Sequence, residues 1–177
     1  IAHVSLGPDG PSIEMGEPSA FDARSEAIAP MMFDESTRIA QFVADAHLQP
    51  DMVQAAIDAD YDALLFHGTG LGHLPIADPL EDSPENTRLR IMLADHCAGG
   101  GVVIVVTQTI HGPIHMDVYD KGRDQQEMGI IGHGSLCPPS SALVKLHHLL
   151  SRDEGRDAVA EGWDSDLVGE NPPDAFS

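Results

Sequence analysis

Lysine is nearly absent from this chain. It occurs only at Lys121 and Lys145, and 9 basic residues stand against 29 acidic ones, for a net charge of −20. Such a surface repels phosphate, so direct binding of nucleic acid is excluded as the main activity. A lysine-poor acidic surface over an ordinary core points to adaptation to high salt, where self-repulsion is screened. An acidic protein of ordinary cytoplasm is the alternative. Cysteine is scarce too: Cys97 and Cys137 are the only two, and neither lies in a C-x-x-C pair. No disulfide framework is expected, and the compartment reads as reducing and cytoplasmic. No apolar run is long enough to cross a bilayer, so no membrane partner is expected. No charged-then-apolar signal segment precedes the body, and the start at Ile1 reads as a fragment or a processed product. Aromatic residues are 5% against 42% hydrophobic ones, so the core must be mostly aliphatic.

Familiar signatures of chemistry are missing as well. There is no G-x-G-x-x-G and no G-K-S/T, which argues against a nucleotide loop. Ser135, Ser140 and Ser141 lack a G-x-S-x-G elbow. Cys97 ends an amphipathic stretch and Cys137 precedes Pro138-Pro139, so both read as packed and structural.

What is present centres on residues 64–75, LLFHGTGLGHLP. The apolar run 63–66 reads as a buried strand. It empties into Gly68, Gly70 and Gly72, spaced by single residues. Glycine permits positive φ and close approach of another group. Thr69 and His73 are thereby expected at the carboxyl edge of a sheet, where open α/β folds bind ligands. The alternative is a plain tight turn.

Around that stretch the chain reads as follows. Residues 1–37 look irregular, an interdomain linker, because Pro8, Pro11, Pro18 and Pro30 interrupt any long helix; only 23–29 could form a short helical turn. Periodic structure starts with a strand over 39–44. A helix follows from Pro50 to about 60, with Met52, Val53, Ala56 and Ile57 as its apolar stripe. Ser83-Pro84-Glu85 reads as N-cap, first-turn proline and acidic first turn of a helix that ends at Gly99. Residues 102–106 are β-branched and apolar throughout, a strand buried on both faces. Two βαβ units result. A short helix after Gly122, a buried piece at 129–131 and a helix over 138–150 carrying Leu143, Leu146 and Leu150 complete the pattern. The expected fold is α/β, a small parallel sheet flanked by helices over 38–151. Residues 152–177 read as an acidic C-terminal tail with a short helix near Ala158.

Ten histidines raise the question of a metal. His111 and His115 have the spacing of an H-x-x-x-H pair, but Gly112 and Pro113 between them oppose the helical turn that pair needs. His67 and His73 could approach within the glycine loop. His147 and His148 are adjacent and point apart on a helix. No metal set is expected.

Several ordered blocks resemble a known family: 55–75, 105–112 (VVTQTIHG), 117–123 (DVYDKGR), 129–131 (GII), 142–146 (ALVKL) and, more weakly, 166–170 (DLVGE). Together they are similar to the C-terminal domain of type I asparaginases and, within that family, to the asparaginase-like D subunit of archaeal glutamyl-tRNA(Gln) amidotransferase. The resemblance spans about 38–170. It implies amide hydrolysis by a threonine nucleophile, assisted by a second threonine, an aspartate and a lysine. The motifs that carry those groups, T-G-G-T and H-G-T-D-T, are absent here; His67-Gly68-Thr69 starts like the second, but Gly70 stands where aspartate is required. No catalytic residue is therefore assigned, Thr69 included. The resemblance also implies that the glycine loop helps close the active site of a second copy. Where related asparaginases place a substrate-facing asparagine, this chain has His73. His73 and Thr69 are the expected substrate-binding residues. Further departures are Ser135-Leu136 and Ser140-Ser141, which bear on how the last helix is capped and what it contacts. The implied function is release of ammonia from glutamine for amidation of glutamate on tRNA. The implied partners are a homodimer mate, the amidotransferase partner subunit and, indirectly, tRNA. No cofactor is expected in this chain; ATP and magnesium belong to the partner subunit. A non-catalytic α/β binding or dimerisation module is the alternative.

Overall fold

A computed structural model describes residues 2–15, 32–109, 111–152 and 154–171. The chain forms two compact units, divided between Met31 and Met32.

The first unit holds an antiparallel hairpin, β1 (Ala2–Gly7) and β2 (Gly10–Met15), in register from Ala2 opposite Met15 to Gly7 opposite Gly10. Over 2–15 this corrects the irregular reading of 1–37. Pro8 belongs to a turn, Gly7-Pro8-Asp9-Gly10, in which Gly10 takes φ +110°, and Pro11 lies in β2 opposite Leu6. Proline followed by Asp-Gly is a turn signal, not only a helix breaker. Ser5 and Ser12 face across the pair, with Oγ atoms 2.6 Å apart. The expected helical turn at 23–29 lies outside the described residues.

The second unit is built on a parallel sheet of β3 (Ile39–Val43), β4 (Ala63–Gly68) and β5 (Val102–Thr107), in that spatial order. Ile131 extends the sheet past β5: its N–H donates to Val103 O, and its carbonyl accepts from Val105 N–H. Side chains alternate across the sheet, so two cores form. On one face, Leu64, Phe66, Val103 and Val105 meet α1 (Pro50–Asp58) and α2 (Pro84–Ala98) through Val53, Ala56, Leu89 and Leu93. On the other, Ala63, Leu65, Ile104 and Val106 meet α4 (Pro139–Leu150) and α5 (Arg156–Asp164). Between them in sequence, α3 (Asp120–Glu127) lies outside both strand-facing layers and carries the buried Gln125. The expected α/β architecture, a small parallel sheet flanked by helices, is the one observed.

Three local readings change. Ser83 sits at the N-cap of α2, but its Oγ donates to Asp82 instead of capping the helix. On α4 the fully buried line is Ala142, Lys145, Leu146 and Leu149; of the expected Leu143, Leu146 and Leu150, Leu146 is in it, and the other two pack partly buried against the same core. A charged residue therefore lies inside. The acidic tail is part of the domain: α5 packs Val159 and Trp163, one helical turn apart, into the second core. Residues 32–37 also belong to the second unit, since Phe33 stacks on His147 at 4.7 Å and Asp34 N–H donates to Ser151 Oγ.

Candidate functional site

The glycine loop leaves β4 at the carboxyl edge of the sheet. Thr69 and His73 pair across it: the amide of each donates to the carbonyl of the other at 2.9 Å. Each glycine has its own reason. A Cβ on Gly68 would stand 2.6 Å from the backbone carbon of Gly72. Gly72 takes φ +92°, and a Cβ there would strike the Ile114 side chain. Gly70 takes φ +52° and presents its carbonyl to Thr107, whose Oγ1 donates to it at 2.5 Å.

Other elements fix the loop from three sides. After β5, Gln108 N–H donates to Gly68 O, and its side-chain amide donates to Ala44 O and His67 O, so one residue ties together the ends of all three strands. From α3, the fully buried Gln125 accepts from Leu74 N–H (2.8 Å) and donates to Gly72 O (3.0 Å). His115 N–H donates to Leu71 O at 3.1 Å. Sequence reasoning missed Gln125, because nothing in a polar helix of eight residues marks which side chain turns inward.

The two expected substrate residues lie in different surroundings. Thr69 is exposed on the loop, its Oγ1 donating to His73 O at 3.2 Å. His73 is 5% exposed, and its ring meets Tyr119 edge-on at 5.3 Å between centroids. Tyr119 itself is 55% exposed. His73 Nε2 is buried and has no hydrogen-bond partner among the described residues. Burial, and then the Lys121 ammonium, push the imidazole below its ordinary value. The ring is therefore neutral near pH 7, with one nitrogen unspent. His67 does not join it: its Nε2 lies 3.4 Å from Gln41 Oε1.

Two further clusters stand apart from the loop. Lys145 is buried in α4 and donates to Trp163 O (2.8 Å), to Ser165 O (2.5 Å) and to Glu170 Oε1 (2.9 Å). Burial alone would raise the Glu170 carboxyl. The Lys145 ammonium and the amides of Val168 and Leu167 outweigh burial and hold it at about 2. The pair borders a largely apolar cavity of about 550 Å³ lined by Phe33, Val144, Leu167 and Val168 among others. The second cluster is His115, Asp117 and His133, whose nitrogen and oxygen atoms gather within 4.8 Å of one another. His111, which shares the H-x-x-x-H spacing with His115, is exposed and lies outside this group. Burial raises both thiols, Cys137 to about 11, so neither is a poised nucleophile.

Residues 38–161 match the model of the glutaminase/asparaginase C-terminal domain. The chain is 31% identical over 125 residues to the D subunit of the glutamyl-tRNA(Gln) amidotransferase of Methanococcus maripaludis, a match that covers 70% of this chain and 26% of that protein. The corresponding protein of Sulfolobus acidocaldarius, of the same name, is 32% identical over 124 residues, 70% of this chain and 25% of that protein. This chain thus spans about a quarter of the length of these relatives. Among solved structures, the L-asparaginase I of Vibrio cholerae superposes with a TM-score of 0.64 at 24% identity, covering 77% of this chain and 38% of that one. The thermostable L-asparaginase of Thermococcus kodakarensis gives 0.68 at 20% identity, covering 96% and 47%. These structures share the fold. The match runs from β3 into α5 and takes in the glycine loop and the edge that holds it. The chain belongs to the glutaminase/asparaginase C-terminal domain family.

Proposed function

We propose that this chain is the C-terminal domain of the glutaminase/asparaginase-like subunit of a tRNA-dependent amidotransferase. The subunit releases ammonia from glutamine, and a partner subunit spends it in converting Glu-tRNA(Gln) to Gln-tRNA(Gln). The identity of 31% over 125 residues with a protein named as the D subunit of glutamyl-tRNA(Gln) amidotransferase carries this reading. The acidic surface agrees with it, because tRNA is then engaged by the partner subunit and only indirectly by this one. ATP and magnesium act in the partner subunit. The domain works as a homodimer, in the cytoplasm. Among the described residues no helix is long and apolar enough to cross a membrane.

In this reading the reacting threonines, aspartate and lysine belong to a catalytic N-terminal domain, since neither of their motifs occurs in this chain. The contribution of this chain is to the substrate. Thr69 is exposed on the glycine loop, and His73, paired with it across the loop, is buried. In the dimer this loop faces the pocket of the other copy. A neutral imidazole can donate to or accept from a carboxamide, and His73 Nε2 is uncommitted within its own chain. Gln125 and Thr107 hold the loop through its backbone carbonyls.

Ammonia release from glutamine by the full-length gene product tests the reading. Turnover is expected there and none is expected from residues 1–177 alone. A full-length product that releases no ammonia from glutamine or asparagine favours the second reading, a binding or dimerisation module. The missing catalytic motifs are the observation that keeps this reading open.

A further inference from the structure

We propose that His115, Asp117 and His133 form a binding site for a divalent transition-metal ion of the zinc type. The site is built from two segments that the fold presses together. Ile114 N–H donates to Ser135 O, and Gly134 N–H donates to Ile114 O, both at 2.9 Å. That pairing brings the rings of His115 and His133 edge to face, with centroids 5.4 Å apart. Asp117 lies beside them, with Oδ2 3.5 Å from His133 Nε2. Donors around a tetrahedral ion with bonds of about 2.0–2.1 Å stand roughly 3.4 Å apart. One pair is at that spacing already, and the third donor lies within 4.8 Å of both.

The donor chemistry selects the ion. Two imidazoles and one carboxylate suit zinc, nickel or cobalt better than magnesium or calcium, which take oxygen donors. The carboxylate is oriented from outside. Gln126 Nε2 donates to Asp117 Oδ1 at 2.8 Å, which leaves Oδ2 for the ion. Arg123 donates to Asp117 O and steadies the backbone. Partners of this kind hold ligands in place in metal sites. Both rings are half-buried while Asp117 is exposed, so an ion reaches the site from solvent and water completes its shell.

The proton inventory gives the site its own signature. Met116 N–H donates to His133 Nδ1 at 3.0 Å, so in the neutral ring the proton sits on Nε2. An ion on Nε2 displaces that proton to Nδ1, which then no longer accepts from the Met116 amide. Loading should therefore disturb the Met116 amide, which no other histidine contacts in this way among the described residues.

The experiment is zinc titration of the chelator-treated chain, residues 1–177, in molar sodium chloride so that the acidic surface does not gather ions diffusely. The expected result is one ion per chain, with the amide resonance of Met116 shifting in step. Asp117→Ala and His133→Gln should each weaken binding at least tenfold. Asp117 is exposed, so its removal leaves the fold intact by circular dichroism. Magnesium should not compete at millimolar concentration. Equal zinc affinity in the wild type and both variants, or saturation with a still Met116 amide, overturns the proposal.

Discussion

At the residue scale, the proposed substrate contact is His73. Its replacement by alanine in the full-length subunit removes one hydrogen bond to an uncharged group, about 0.5–1.5 kcal/mol. A several-fold loss in kcat/KM is expected, with the dimer intact. His73→Asn restores a donor and an acceptor and should recover part of that loss. Steady-state kinetics of both variants beside gel filtration check this, and wild-type kinetics in His73→Ala contradict the placement. Lys145 and Glu170 are the residues on which the C-terminal segment depends. The Glu170 carboxyl is depressed from 4.5 to about 2, a differential of roughly 3 kcal/mol between folded and unfolded chains. A depressed acid stabilises above its unfolded value, and that share is lost as pH falls from 4.5 towards 2. The imidazoles of His67, His73 and His96 are pushed below 6.5 by burial, so the unfolded chain takes up protons first and stability already declines below 6.5. Unfolding free energy, followed against pH in molar salt, should thus fall in two steps. Glu170→Ala should abolish the lower one and cost about 3–5 kcal/mol at neutral pH, because it strands a buried ammonium. An unchanged lower step in that variant contradicts the role assigned to the pair.

At the scale of elements, the glycine loop is a tightly constrained connection. Gly68→Ala places a methyl group against the backbone of Gly72, which no rotamer change can relieve. It should lower the thermal midpoint by several degrees and weaken protection of the Leu74 amide in hydrogen exchange, since that amide relies on Gln125. Normal protection at Leu74 would show that the loop tolerates the methyl. Much of this level is legible in the sequence. The strands at 63–66 and 102–106 are visible because each is a continuous apolar run ended by glycine or a polar pair. The βαβ order follows from the helical stripes between them. The hairpin is not legible, because Pro8 within the turn and Pro11 beside it signal a broken helix as readily as a turn. The inward lysine of α4 is hidden too. Periodicity points to the leucines of the helix, and the partners that make burial of Lys145 tolerable, Glu170 and the carbonyls of Trp163 and Ser165, lie far along the chain. His133 enters the cluster with His115 through backbone pairing of 114 with 134 and 135, which no local spacing reveals.

At the scale of the whole molecule, charge and family decide what to measure. A net charge of −20 on 177 residues favours expansion until counter-ions screen it. Thermal midpoints should rise steeply from low to molar sodium chloride, and a flat profile removes the salt-adapted reading. The functional proposal turns on chemistry that this chain supports without containing. Its direct test joins the full-length gene product to its partner subunit, with ATP, magnesium, glutamine and tRNA(Gln) charged with glutamate, and measures the Gln-tRNA(Gln) formed. Formation of Gln-tRNA(Gln) with glutamine as the nitrogen source, falling several-fold in His73→Ala, is the expected result. No conversion with glutamine, while free ammonia still supports it, would contradict the assignment of this domain to the subunit that supplies ammonia.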